Sequence, residues 1–125
     1  MIRASIAAVL LPVAAASVAG LLHLRLVRAE PAANTALERA PTAVRLWFSQ
    51  PAEAAVTRVR VIGPRGPVAV AAPTPMPDGI AANVRGPMPA GAYRVEWRTM
   101  AADGHGVGGQ YGFRVGAAPR PPARP

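Results

Sequence analysis

The chain has 125 residues, no cysteine and a formal charge of +8, and all 14 of its basic residues are arginine. Without thiols, a disulfide framework, a thiolate zinc site and a cysteine nucleophile are excluded. A single domain of about 100 residues behind any leader is also too small for an enzyme with a deep substrate cleft. Nucleic-acid binders cluster arginines among aromatics on one surface. Here Arg45, Arg58, Arg60, Arg94, Arg98 and Arg114 fall singly within alternating segments, as on solvated strand faces. The charge therefore indicates a soluble basic surface and no nucleic-acid partner.

Residues 1–22 read as an export signal: Arg3 at the start, an apolar run from Ile6 to Ala16 broken only by Pro12, then small residues. The run is short for a membrane span. Two processing points are open. Cleavage after Ala19 obeys the small-x-small rule, whereas cleavage directly before His23 puts Leu22 where a small residue is preferred.

From His23 onward the apolar residues alternate with period two in short runs. Leu24 and Leu26 flank Arg25; Glu30 to Asn34 is a turn; Thr35 to Ala40 is a connection with room for a helical turn. Val44, Leu46 and Phe48 share one face, with Arg45 and Trp47 on the other. Val59 and Val61 alternate with Arg58 and Arg60 up to the turn Gly63-Pro64-Arg65-Gly66-Pro67. Val68 and Val70 form a short strand before the proline-rich Pro73 to Pro77, and Ile80 to Val84 is a weak one. Tyr93, Val95 and Trp97, then Tyr111, Phe113 and Val115, complete the set. About seven short strands with Pro and Gly at the corners predict an all-β, Greek-key, immunoglobulin-like sandwich over residues 23–116. Residues 117–125, rich in Pro and Arg, are expected to form a disordered tail. The aromatics are assigned to the core or its edges, with Trp97 also a candidate to underlie the loop described next.

The glycine-rich stretch Thr99 to Gly109 joins the last two strands and carries Asp103 and His105 at its tip. The chain has only two histidines, and the other, His23, stands where the leader stops. Imidazole and carboxylate are the donors that tetragonal Cu(II) favours. A histidine at a mature N-terminus adds a chelating amine, once that amine loses its proton. His23, Asp103 and His105 are therefore the candidate copper ligands. Each has an ordinary alternative: Asp-Gly commonly marks a turn, and a lone histidine is commonly a hydrogen-bonded surface residue.

Several segments resemble the CopC copper-resistance family: His23-Leu24-Arg25-Leu26-Val27, Glu30-Pro31-Ala32, and Ala40-Pro41-Thr42-Ala43-Val44-Arg45-Leu46-Trp47-Phe48-Ser49. Ala90-Gly91-Ala92-Tyr93-Arg94-Val95-Glu96-Trp97-Arg98, Asp103-Gly104-His105, Gly109 and Phe113-Arg114-Val115 follow in order. The resemblance spans residues 23–115. It implies a monomeric periplasmic or extracytoplasmic β-sandwich that binds Cu(II) through His23 (amine and ring), Asp103 and His105, and that buffers or carries copper in resistance or homeostasis. It further implies a separate CopD-like membrane copper transporter or another copper carrier as partner, and no turnover.

Two departures stand out. Met76, Met88 and Met100 are scattered, which does not make a thioether Cu(I) site and fits gap-filling instead. Gln50 follows Phe48-Ser49 where some members place a carboxylate. The sequence also admits two alternative functions. A copper monooxygenase needs an open coordination position and a broad substrate surface, which a chain this short does not supply. A non-metal sandwich module that binds another protein would survive loss of both Asp103 and His105.

Overall fold

The computed structural model describes residues 23–116. The expected export signal (1–22) and tail (117–125) lie outside the described residues. Among the described residues nine strands build two sheets: β1 (Leu26–Glu30), β2 (Ala36–Leu37), β3 (Ala43–Phe48), β4 (Arg58–Gly63), β5 (Gly66–Val68), β6 (Thr74–Met76), β7 (Gly79–Asn83), β8 (Gly91–Met100) and β9 (Gly106–Val115). One sheet runs β1-β3-β7-β6, the other β2-β9-β8-β4-β5. The chain passes repeatedly from one sheet to the other, and the all-β sandwich anticipated from alternation is present.

Alternation produces this fold because period-two patterning places every second side chain on one face of a strand. In β3, Val44, Leu46 and Phe48 are buried, whereas Arg45 is exposed and Trp47 half-buried. In β8, Tyr93, Val95, Trp97 and Thr99 point inward. These residues meet Val59, Val61, Ile80, Ala82, Phe113 and Val115 in one core. Phe48 packs edge-on against Trp97 with ring centroids 5.2 Å apart, and Tyr93 stacks on Phe113 at 5.4 Å. Gly109 is required beside Trp97, since a Cβ there would sit 2.8 Å from the indole.

Three local features depart from simple alternation. Val27 is an extra residue in β1: the register to β3 jumps from Leu26↔Phe48 to Arg28↔Trp47. This bulge reverses the side-chain parity, leaves Val27 54% exposed and lays the Arg28 guanidinium 4.6 Å over the Trp47 ring. The connection after Asn34 holds no helical turn. It holds β2, which pairs parallel to the end of β9. Among the described residues the single 3-10 turn lies at Ala54–Val56. Finally, the proline-rich stretch contains β6, an edge strand where Pro75 lacks no needed donor.

Near one end of the core, the hydroxyls of Thr57 and Thr99 meet at 2.8 Å, and both residues are buried. Thr57 donates its proton to the Glu53 carbonyl at 2.6 Å, so Thr99 is the donor between the pair. Both polar groups are thereby satisfied where the core approaches the β8–β9 connection.

Candidate metal centre

The loop between β8 and β9 is short and tightly closed. The two strands stay in register from Gly91↔Val115 to Met100↔Gly106, leaving residues 101–105 to turn the chain. Gly104 donates its N–H to the Ala101 carbonyl at 2.9 Å, and Ala101 donates to the His105 carbonyl at 2.9 Å. Gly104 sits at φ +88°, a conformation that glycine adopts without a Cβ penalty. The Asp-Gly pair is thus a genuine turn, and it also carries the candidate donors.

Asp103 and His105 bond each other twice. One carboxylate oxygen accepts the His105 main-chain N–H at 3.0 Å, and the other lies 2.7 Å from the ring Nδ1. The pair is solvent-exposed, with side-chain exposures of 60% for Asp103 and 83% for His105. The hydrogen bond from the His105 ring holds the Asp103 carboxyl below the usual carboxylate range. The same bond pushes the His105 imidazole up. With Nδ1 engaged, Nε2 is the ring nitrogen left to face a ligand, and the carboxylate orients the ring as metal-binding histidines commonly require.

His23 arrives by a different route. Leu24 is buried at 2% exposure and roots this end of the described chain in the core. Ser49, just past β3, fastens the same segment. Its hydroxyl accepts the Arg25 N–H at 3.0 Å and donates to the His23 carbonyl at 3.4 Å, while its own N–H donates to the Arg25 carbonyl at 2.8 Å. Ser49 escaped notice as a positioning residue in the sequence. Its only signal there was its place directly after the alternating β3.

His23, Asp103 and His105 line a single cleft of about 260 Å³, together with Leu24, Ala101 and Val107. The structure joins Asp103 to His105 directly and places His23 on the same cleft. Among the described residues no three His, Cys, Asp or Glu side chains form a ready metal cluster. Trp97 does not line this cleft; it packs in the core behind Gly109. Gln50 faces a separate cleft with Met76 and Asp78, and Met88 is buried in the core.

Residues 26–116 match the model of the CopC domain. The chain belongs to the CopC family. Among its relatives, Copper resistance protein C of Escherichia coli is 33% identical over 103 residues, covering 74% of this chain and 81% of that protein. Copper transport protein CutJ of Bacillus subtilis is 28% identical over 100 residues, but the chain spans only 18% of its length. The crystal structure of PcoC, a methionine-rich copper resistance protein from Escherichia coli, superposes with a TM-score of 0.65 at 34% identity, covering 74% of this chain and 98% of that one. CopC from Methylosinus trichosporium OB3b gives 0.67 at 28% identity, covering 74% and 93%. CopC proteins are exported, copper-associated and non-catalytic, and this CopC chain is accordingly not an enzyme.

The coupled pair in this CopC domain makes a pH prediction. In the metal-free protein, His105 titrates above the ordinary 6.5, and Asp103→Asn returns it toward that value. Because its folded pKa is raised, the contribution of His105 to stability is present below 6.5 and is lost as pH rises through the folded value. For Asp103 the contribution is present above 3.8 and is lost as pH falls through its depressed value. NMR of the imidazole carbon-bound protons reads the titration. A His105 that titrates at 6.5 in both proteins would show that the ion pair does not persist in solution.

Proposed function

We propose that this CopC domain binds Cu(II) through His23, Asp103 and His105 and buffers or carries the ion outside the cytoplasm, in copper resistance or homeostasis. The observation that carries the proposal is the shared cleft: the chain's only two histidines and the Asp103 carboxylate line it together. Two imidazoles and a carboxylate suit a borderline cation that favours nitrogen and oxygen donors. A solvent-open cleft on a small sandwich suits an ion that is taken up and given away again.

The protons follow from the pair. Metal binding requires a neutral imidazole, so His105 gives up the proton that Asp103 favours, and copper uptake strengthens as pH rises through the His105 value. Residues 1–22 serve as a cleaved export signal in this reading. If processing ends directly before His23, the new α-amine lies next to the ring and adds a chelating donor; if it ends after Ala19, the site has side chains only. The receiving partner is a CopD-like membrane copper transporter or another copper carrier. The names of the relatives support copper as the cargo, since both speak of copper resistance or copper transport.

Native mass spectrometry of the exported protein from copper-supplemented cells tests this directly. The expected species begins at His23 and holds one copper ion. A chain beginning at Gly20 with no retained metal would remove the chelating N-terminus and with it the main support for a carrier role.

A further inference from the structure

A larger concavity lies away from the copper loop. Between the first half of β4 and the segment leading into β6 is a cleft of about 700 Å³, lined by Val56, Arg58, Val59, Arg60, Val70 and Ala72 among others. It exists because β5 is short. β5 pairs with β4 only at Val61, Ile62 and Gly63, so among the described residues Arg58 to Arg60 have β8 on one side and no strand on the other.

That open edge has a defined main-chain polarity. Pro67 stands opposite Ile62 and has no N–H, so the hydrogen-bonded pairs between β4 and β5 are Val61–Val68 and Gly63–Gly66. Bonding direction alternates along an antiparallel strand. The N–H and C=O of Val59 therefore point the same way as those of Val61, beyond the place where β5 stops. None of the turn and loop hydrogen bonds among the described residues involves Val59. The chain across the cleft has turned to the other sheet: Val70 bridges to Val84, and Ala71 donates to the Asn83 carbonyl at 2.8 Å.

The rim of the cleft is basic and undercompensated. Arg58 lies directly opposite Arg98 in the sheet, a like-charge pair, and neither has a carboxylate partner among the described residues. Arg60 reaches Glu96 only at 3.7 Å, while Arg94 holds the same carboxylate at 3.0 Å. The cleft also has apolar surface, with Val56 44% exposed beside Val70 and Ala72.

We propose that this cleft receives a short extended segment of a partner protein carrying acidic side chains, added to the open edge of β4 at Val59. An extended backbone is what unclaimed N–H and C=O groups at a strand edge accept, and alternate side chains then give specificity. Carboxylates on one side of such a segment meet Arg58 and Arg60, and the other side faces Val56 and Val70. The chain's own residues 117–125 do not fit: they hold four prolines, two arginines and no acidic side chain. A second copy would bring the same arginine rim against itself. The proposal is independent of copper.

The test uses the ¹⁵N-labelled exported protein, titrated with a blocked seven-residue peptide alternating aspartate and valine, and with its lysine counterpart. The aspartate peptide is expected to give saturable amide shifts centred on Val59 and on Val70 to Ala72, with slowed exchange of the Val59 amide. The lysine peptide gives none. Arg58→Glu weakens binding at least tenfold. Ala72→Asp, at an exposed position on the facing wall, does so too, while unchanged resonances of residues 101–105 show an intact fold. Equal response to both peptides, shifts spread over all arginines without Val59, or the same shifts from an oligothymidylate alone would overturn the proposal.

Discussion

His105→Ala is expected to weaken Cu(II) binding by more than about 100-fold. Removing a partner that only orients a metal ligand typically lowers affinity 10–100-fold, and in the proposed site His105 is itself a ligand through Nε2, its Nδ1 held by Asp103. Asp103→Asn separates the two roles, because the amide keeps the turn-forming oxygen that accepts the His105 N–H but loses the charge. Because Asp103 is a proposed oxygen donor as well as the anchor of the His105 ring, its loss is expected to reach at least about 10–100-fold, the range for losing the anchor alone. Competition against a chromophoric Cu(II) chelator measures both, with the fold monitored by the β-sheet circular dichroism. Because the pair is exposed and the loop is closed by main-chain bonds, neither variant should unfold. An His105→Ala protein that binds copper as tightly as the parent would place the ion elsewhere.

Leu46→Ala is expected to destabilise the domain by about 3 kcal/mol, within the range for truncating a buried leucine. Leu46 has no exposed surface and sits mid-strand in β3, with Ala29 of β1 on one side and Ile80 of β7 on the other, so neighbours on both sides hold the void open. For a domain of this size that cost lowers Tm on the order of 15 °C. Thermal denaturation compares it with Val27→Ala, a truncation at an exposed bulge residue, which should lie within about 0.5 kcal/mol of the parent. Equal Tm shifts for the two would contradict the burial pattern on which the fold is built.

The strands that alternation revealed are those buried on one face only. Val44, Leu46 and Phe48, or Tyr93, Val95 and Trp97, carry their packing in their spacing. The elements that it hid are set by tertiary pairing. β2 has two residues, too few for any period, and exists because β9 offers it an edge. β6 is disguised by Pro75, and the bulge at Val27 breaks the parity that Leu24 and Leu26 begin.

The candidate site divides in the same way. Asp103, Gly104 and His105 are local, and their turn chemistry is visible in three letters. The carboxylate also grips its neighbour's ring, across a turn in which Gly104 adopts φ +88°. The fastening of His23 by Ser49 links residues 26 positions apart, and no local pattern announces it.

The unbroken ladder between β8 and β9 has a consequence for metal choice. Its ten cross-strand pairs cannot slip by one step without turning either Trp97 or Phe113 out of the interior, because side-chain direction reverses at every residue. The loop that carries Asp103 and His105 is therefore held at both ends by hydrophobic packing many residues away, while its own turn sets how the two stand to each other. If the proposed site holds copper, discrimination against a competing divalent ion, which depends on donor geometry, draws on the whole sandwich: a loosened interior would blur it even with every donor atom retained.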